Sequence, residues 1–202
     1  LFFLGYYLGN GFLSGKANPT RFEVSVPATK IEKLAPLFEK HSHFNWKQGS
    51  TSNVFTGESS NVILVQLLAM FGHKASNKTI PDFILNLPKD LLESFLKGYL
   101  ESDGYVRDGN VSRITTVSKN IAYRYQQAML KLGKVTTIRF QKRPETCIIE
   151  GRTVNQKDTY SLEHCEDTPK SFYKWVEGSL YVKVREVTNE TPVDYNGLVY
   201  NI

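Results

Sequence analysis

Leu96-Lys97-Gly98-Tyr99-Leu100-Glu101-Ser102-Asp103-Gly104 decides the fold, because an earlier stretch, Leu4-Gly5-Tyr6-Tyr7-Leu8-Gly9-Asn10-Gly11, repeats its spacing. The offset is a constant 93 residues: Gly5 falls on Gly98, Gly9 on Ser102, Asn10 on Asp103 and Gly11 on Gly104. In each copy two small residues stand four apart, and positions i and i+4 share one helix face. A face without large side chains lets another backbone come close, so the spacing predicts two helices packed tightly side by side. Each copy ends in a polar residue and a glycine, which reads as a helix stop through positive φ at Gly11 and Gly104. The two helices should deliver Asn10 and Asp103 to one spot at their C-terminal ends.

The last carbonyls of a helix lack intrahelical donors and carry partial negative charge. Adding the Asp103 carboxylate gives a hard-oxygen site suited to Mg²⁺ or Ca²⁺, the kind of ion that assists phosphodiester hydrolysis. The paired stretches resemble the motifs of the LAGLIDADG homing endonucleases in the form with two motifs per chain, and Phe95 to Gly104 is similar to a typical second motif. The resemblance implies an α+β fold of two pseudo-symmetric αββαββα-like repeats, with motif helices at the interface and saddle-shaped antiparallel sheets. It also implies a monomer that cuts a long double-stranded DNA site using Mg²⁺, with Ca²⁺ or Mn²⁺ able to substitute. Asp103 and Asn10 would be catalytic and metal-binding, with Gly9 and Ser102 beside the metal.

Position 10 departs from the family pattern, which has an acid there. An amide oxygen can ligate a metal but brings no charge, and losing one metal-site carboxylate should cost about a thousandfold in rate. A form substituted to trap uncut DNA, a decayed enzyme and a nickase all fit this departure.

The 202 residues, 41% hydrophobic and 12% aromatic, support a real core. The net charge of +5 is unevenly placed. From Tyr105 to Arg143 nine Lys or Arg face one acid, whereas from Pro144 onward six basic residues face ten acidic ones. The second repeat is therefore the part expected to face a polyanion. Cys147 and Cys165 have no zinc spacing, and the four histidines form no triad pattern. The apolar run Leu1 to Leu13 is too short to span a bilayer and reads as a buried first helix, so an intracellular, membrane-free protein is expected.

Thr20 to Pro27 alternates as a half-buried strand, and Ile31 to Phe38 has helical spacing. His43 to Lys47 and Val54 to Thr56 are strand candidates. Ser59 or Ser60 is expected to cap a helix running to Phe71, and Asp82 to Leu87 reads as a linker. In the second repeat, Asn110 to Val117 is a strand. Ser118 caps a helix over Lys119 to Leu132 that Gly133 ends. Val135 to Arg143 and Thr159 to Leu162 are strands, and Pro169 to Trp175 reads as a short helix. The implied domains are 1–87, 88–180 and a C-terminal strand segment, 181–202.

A twisted sheet fits the major groove, where base edges carry the full donor–acceptor code. Thr137, Arg139, Gln141 and Arg143 share one predicted face, joined by Arg107, Arg113 and Thr115. Arg21, Glu23, Ser25 and Lys47 are the first-half counterparts. The resemblance implies a basic residue near the scissile phosphate, for which Lys119, read as matching Lys30, is the candidate; either lysine also fits as a helix flank, and Lys47, Lys74 and Lys142 are equally open. The tail Gly197-Leu198-Val199-Tyr200-Asn201-Ile202 resembles a strand re-entering an intein splicing domain, with a closing hairpin as the alternative. Against the endonuclease stand a non-cleaving DNA- or RNA-binding relative, such as a maturase or regulator, and a structural insert without activity.

Overall fold

The computed structural model describes residues 1–15, 18–49, 53–107, 110–149, 151–165 and 173–182. The chain divides into two compact units, Leu1–Glu166 and Asp167–Ile202.

In the first unit the chain begins with helix α1 (Phe2–Asn10), followed by strands β1 (Gly11–Ser14) and β2 (Arg21–Pro27), helix α2 (Ile31–Glu39), and strands β3 (Asn45–Gln48) and β4 (Val54–Ser59). Helices α3 (Val62–Ala69) and α4 (Asp82–Leu85) lead to the second motif helix, α5 (Lys89–Asp103). The order then repeats with β5 (Gly104–Arg107), β6 (Val111–Thr116), α6 (Lys119–Lys131) and β7 (Thr137–Gln141). A hairpin of β8 (Thr146–Ile149) and β9 (Arg152–Asn155) precedes β10 (Thr159–Cys165). Two antiparallel four-stranded sheets result, ordered β1-β2-β4-β3 and β5-β6-β10-β7. This is the α+β architecture expected, with one sheet for each motif helix.

Burial follows strand alternation. In β2, Phe22, Val24 and Val26 are fully buried while Arg21, Glu23 and Ser25 lie on the opposite face. In the second sheet Ile114 and Leu162 point inward. Helix α1 is apolar on nearly every side because it is buried from Phe3 to Leu8, between its own sheet and α5.

The α1–α5 seam depends on glycine. A Cβ on Gly5 would lie 1.8 Å from the Phe95 carbonyl oxygen, and one on Gly98 would lie 2.0 Å from that of Phe2. The two approaches mirror each other at the 93-residue offset, as a pseudo-twofold axis requires. Gly11 and Gly104 do not stop their helices through positive φ, as the sequence suggested. They are extended, with φ −96° and −106°, and each begins the strand after its helix. Lack of space makes them glycine: a Cβ would meet the Tyr7 ring at 2.0 Å or the Leu100 carbonyl at 2.7 Å.

Other local expectations change. Asn61, not Ser59 or Ser60, caps α3 by accepting from the Leu64 amide at 3.2 Å. The expected linker at Asp82 forms α4, because Arg124 of α6 binds the Ile80 carbonyl at 3.0 Å and the Asp82 carboxylate, while Lys131 binds the Leu85 carbonyl. Ser118 caps α6 as predicted, and Gly133 follows it at φ +79°.

In the second unit Tyr173–Val176 and Ser179–Val182 pair as an antiparallel hairpin, β11 and β12. Tyr173 to Trp175 is thus strand rather than the expected helix, which Trp175's β-forming neighbours explain. The rest of that expected helix and the segment 183–202, including the tail resembling an intein strand, lie outside the described residues.

Candidate active site and nucleic-acid interface

Close packing of α1 against α5 brings the two motif ends together. A Cβ on Gly9 would stand 2.2 Å from Ser102 Oγ and 2.9 Å from Asp103 Oδ1. Asn10 Nδ2 lies 3.4 Å from the Tyr6 hydroxyl and 3.5 Å from the Ser102 carbonyl oxygen, and the Tyr6 hydroxyl donates to the Ser25 carbonyl at 3.1 Å. Ser102 Oγ donates back to the Tyr99 carbonyl at 2.8 Å, so Ser102 steadies the turn that carries Asp103. Asp103 lines a cleft of about 210 Å³ together with Leu8, Gly9, Lys78, Thr115 and Thr116. The side chain is open to solvent on one side, yet the surrounding protein pushes its carboxyl pKa up by desolvation, with Lys78 pulling the other way.

Lys78 is the residue sequence reasoning missed. It is 5% exposed, and its ammonium donates to the carbonyls of Tyr7 at 3.1 Å, Leu8 at 2.8 Å and Gly11 at 2.7 Å. The Leu8 oxygen is among the orphan carbonyls at the end of α1, whereas the Tyr7 oxygen also accepts from the Gly11 amide, so the lysine occupies helix-end oxygen that sequence reasoning left to a metal. Burial lowers the Lys78 pKa to about 8, and the nearby Asp103 carboxylate opposes that shift. Ser118 Oγ holds the Lys78 carbonyl at 2.6 Å while accepting from the Ile121 amide, tying the connector to α6.

The other motif end also meets a lysine. Lys30 Nζ reaches the Glu101 carbonyl oxygen at 3.2 Å and Glu101 Oε1 at 2.8 Å. Lys30 directly precedes α2 and Lys119 opens α6, so each stands at the start of the helix that follows the second strand of its half. Lys119 stands over the Tyr123 ring at 5.9 Å.

Strand register fixes the outer faces. On the second sheet Tyr105 pairs with Arg113, Arg113 with Glu163, Thr115 with Ser161, and Ser161 with Arg139. Thr137, Arg139 and Gln141 of β7 share this face with Arg107 of β5. Arg143 lies beyond β7, its amide bonded to Asp158 at 2.9 Å. Arg113 is engaged by the Glu163 carboxylate, which raises its pKa and lowers that of Glu163. On the first sheet Arg21, Glu23, Ser25 and Lys47 share the outer face with Glu58. Arg21 contacts Glu58 at 3.3 Å and Glu23 at 4.0 Å.

Comparison with known proteins agrees with this geometry. Residues 90–164 match the family model of a LAGLIDADG-like domain. The chain is 31% identical over 153 residues to the ATP-dependent DNA helicase Hel308 of Thermococcus kodakarensis, covering 65% of this chain and 13% of the helicase. It is 27% identical over 133 residues to an iron-sulfur cluster assembly SufBD family protein of Mycobacterium bovis, covering 64% and 15%. The chain thus spans a small part of the curated relatives it matches. Among solved structures, the homing endonuclease I-DmoI in complex with DNA and Mn aligns with TM-score 0.55 at 15% identity, covering 81% of this chain and 86% of that one. Mesophilic variants of I-DmoI align at TM-score 0.56 and 16% identity, covering 82% and 87%. Residues 90–164 thus match a LAGLIDADG-like domain, and the described fold is similar to the two-domain fold of I-DmoI. I-DmoI complexes were also solved with Ca and Mg.

Proposed function

We propose that the chain is a site-specific, divalent-metal-dependent DNA endonuclease of the homing type, acting as a monomer on double-stranded DNA in the compartment that holds its host gene. The observation that carries this reading is the apposition of the two motif ends, with the Asp103 carboxylate against Gly9 and the Lys78 ammonium behind it. The halves 1–87 and 88–180 would each present one sheet to the duplex, with 181–202 as a return segment.

The residues that would hold one hard cation are Asp103, through its carboxylate, Asn10, through its amide oxygen, and Gly9 and Ser102, through nearby carbonyls. They do not form a closed cage, and no cluster of three His, Cys, Asp or Glu that could hold an ion occurs among the described residues. An Mg²⁺, Mn²⁺ or Ca²⁺ ion there would take further ligands from a DNA phosphate and water. Such an ion supplies Lewis-acid stabilisation and an activated water. The chain's own part is to hold Asp103 ionised beside that phosphate, to place the Lys78 charge where negative charge develops, and to keep the helix ends rigid. Lys30 and Lys119 remain candidates for a second basic group.

Asn10 leaves the first motif without a carboxylate, which supports reduced or single-strand cutting. The same residue favours the second reading, a DNA- or RNA-binding relative that no longer cleaves. Intein derivation is supported by matches to one short segment within a helicase and an iron-sulfur assembly protein, whose named activities share nothing else. Cleavage of the uninterrupted host gene with Mg²⁺ tests the proposal. Cutting or nicking supports the enzyme, specific binding without cutting supports the second reading, and the absence of both cutting and specific binding would refute both readings.

A further inference from the structure

The outer faces of the two sheets differ in charge. The second sheet carries Arg107, Arg113 and Arg139 against a single acid, Glu163. The first carries Arg21 and Lys47 against Glu23 and Glu58. Among the described strand residues, one face is therefore net positive by two charges and the other is neutral. The cation arrangement differs as well. Arg21 stands between two carboxylates, Glu58 at 3.3 Å and Glu23 at 4.0 Å, whereas Arg139 lies on β7, the edge strand of its sheet, and appears in no ion pair within 4 Å among the described residues.

Resting on the DNA-binding reading, we infer that the two faces divide the work: the second sheet anchors the duplex by its phosphates, and the first reads bases while contributing little net attraction. Phosphate contacts supply affinity without sequence information, and base-edge contacts supply selectivity. A carboxylate repels phosphate and accepts from the cytosine amino group, so Glu23 and Glu58 suit base edges and oppose indiscriminate binding. An arginine held by two acids reaches a base or phosphate only by leaving them. The second face has the opposite character, since Arg139 and Gln141 alternate with Thr137 along an exposed edge strand that duplex backbone can approach.

The test is the salt dependence of binding to a random-sequence DNA duplex, a probe that requires no knowledge of the target. Each phosphate neutralised by Lys or Arg contributes about 0.9 to the slope of log K against log salt. Arg139→Ala should flatten the slope by about 0.9 and weaken binding uniformly across sequences. Glu23→Gln with Glu58→Gln should do the reverse, releasing Arg21 to phosphate, steepening the slope by a similar amount and tightening random-duplex binding. All these positions are solvent-facing, so circular dichroism and melting should match the parent. A slope indifferent to the acidic pair, or an Arg139→Ala variant as salt-sensitive as the parent, would overturn the division of labour. Failure of the parent to bind any duplex at low salt would instead overturn the DNA-binding reading beneath it.

Discussion

Under the proposed function, Asn10 is the side chain whose replacement is expected to gain activity. It sits where the mirrored motif has a carboxylate, and its amide is held by Tyr6 and the Ser102 carbonyl. Asn10→Asp adds the missing charge with almost no change in volume, so it should raise cleavage of the affected strand by about a thousandfold. Asp103→Asn should abolish what activity the parent has. Lys78 gives a pH prediction of two opposite signs. Its folded pKa of about 8 lies below the ordinary 10.5, so between those values the unfolded chain binds the proton and the native chain does not. Its contribution to stability therefore rises with pH across that window, while a cleavage rate that uses the ammonium falls above about pH 8. Urea unfolding and a pH–rate profile, each run on the parent and on Lys78→Met, separate the two, and the variant should lose both dependences. Positions 10 and 103 were legible because a repeat marked them. Lys78 was not, since it lies in a connector without periodicity and acts on carbonyls about 70 residues away.

At the level of elements, the α1–α5 seam should be the least tolerant part of the molecule. Gly98→Ala drives a methyl to about 2.0 Å from a backbone oxygen that cannot swing aside. Overpacking of this kind costs about 3 kcal/mol or more, read as a fall in the urea midpoint. Gly133→Ala is the contrast, because nothing lies within 4 Å of its Cβ position and only the positive φ opposes it; a loss of about 1 to 2 kcal/mol is expected. Equal losses at both sites would show that backbone conformation, not close approach, explains the motif glycines. The helices and most long strands were legible from periods of 3.6 and 2. Strands β1 and β5 were missed because four residues that begin with a glycine show too little alternation, and the glycine itself reads as a stop. Helix α4 was missed because its stability comes from Arg124 and Lys131 of a helix far along the chain.

For the whole molecule, the sheet faces follow from alternation, so the grouping of Thr137, Arg139 and Gln141 and that of Arg21, Glu23 and Ser25 could be read in advance. The capture of Arg113 by Glu163 and of Arg21 by Glu58 could not, because cross-strand register depends on turns that the sequence specifies weakly. The α+β architecture built on a pseudo-twofold pair of helices was legible from one repeat. The account rests on those joined helix ends forming a single site for DNA chemistry. Strand-resolved cleavage measures this most directly, using an end-labelled duplex selected from a randomised library, with Mg²⁺, for the parent, Asn10→Asp and Asp103→Asn. The account predicts no cut or one cut strand for the parent, two cut strands for Asn10→Asp and none for Asp103→Asn. Cleavage that is indifferent to both substitutions would contradict it.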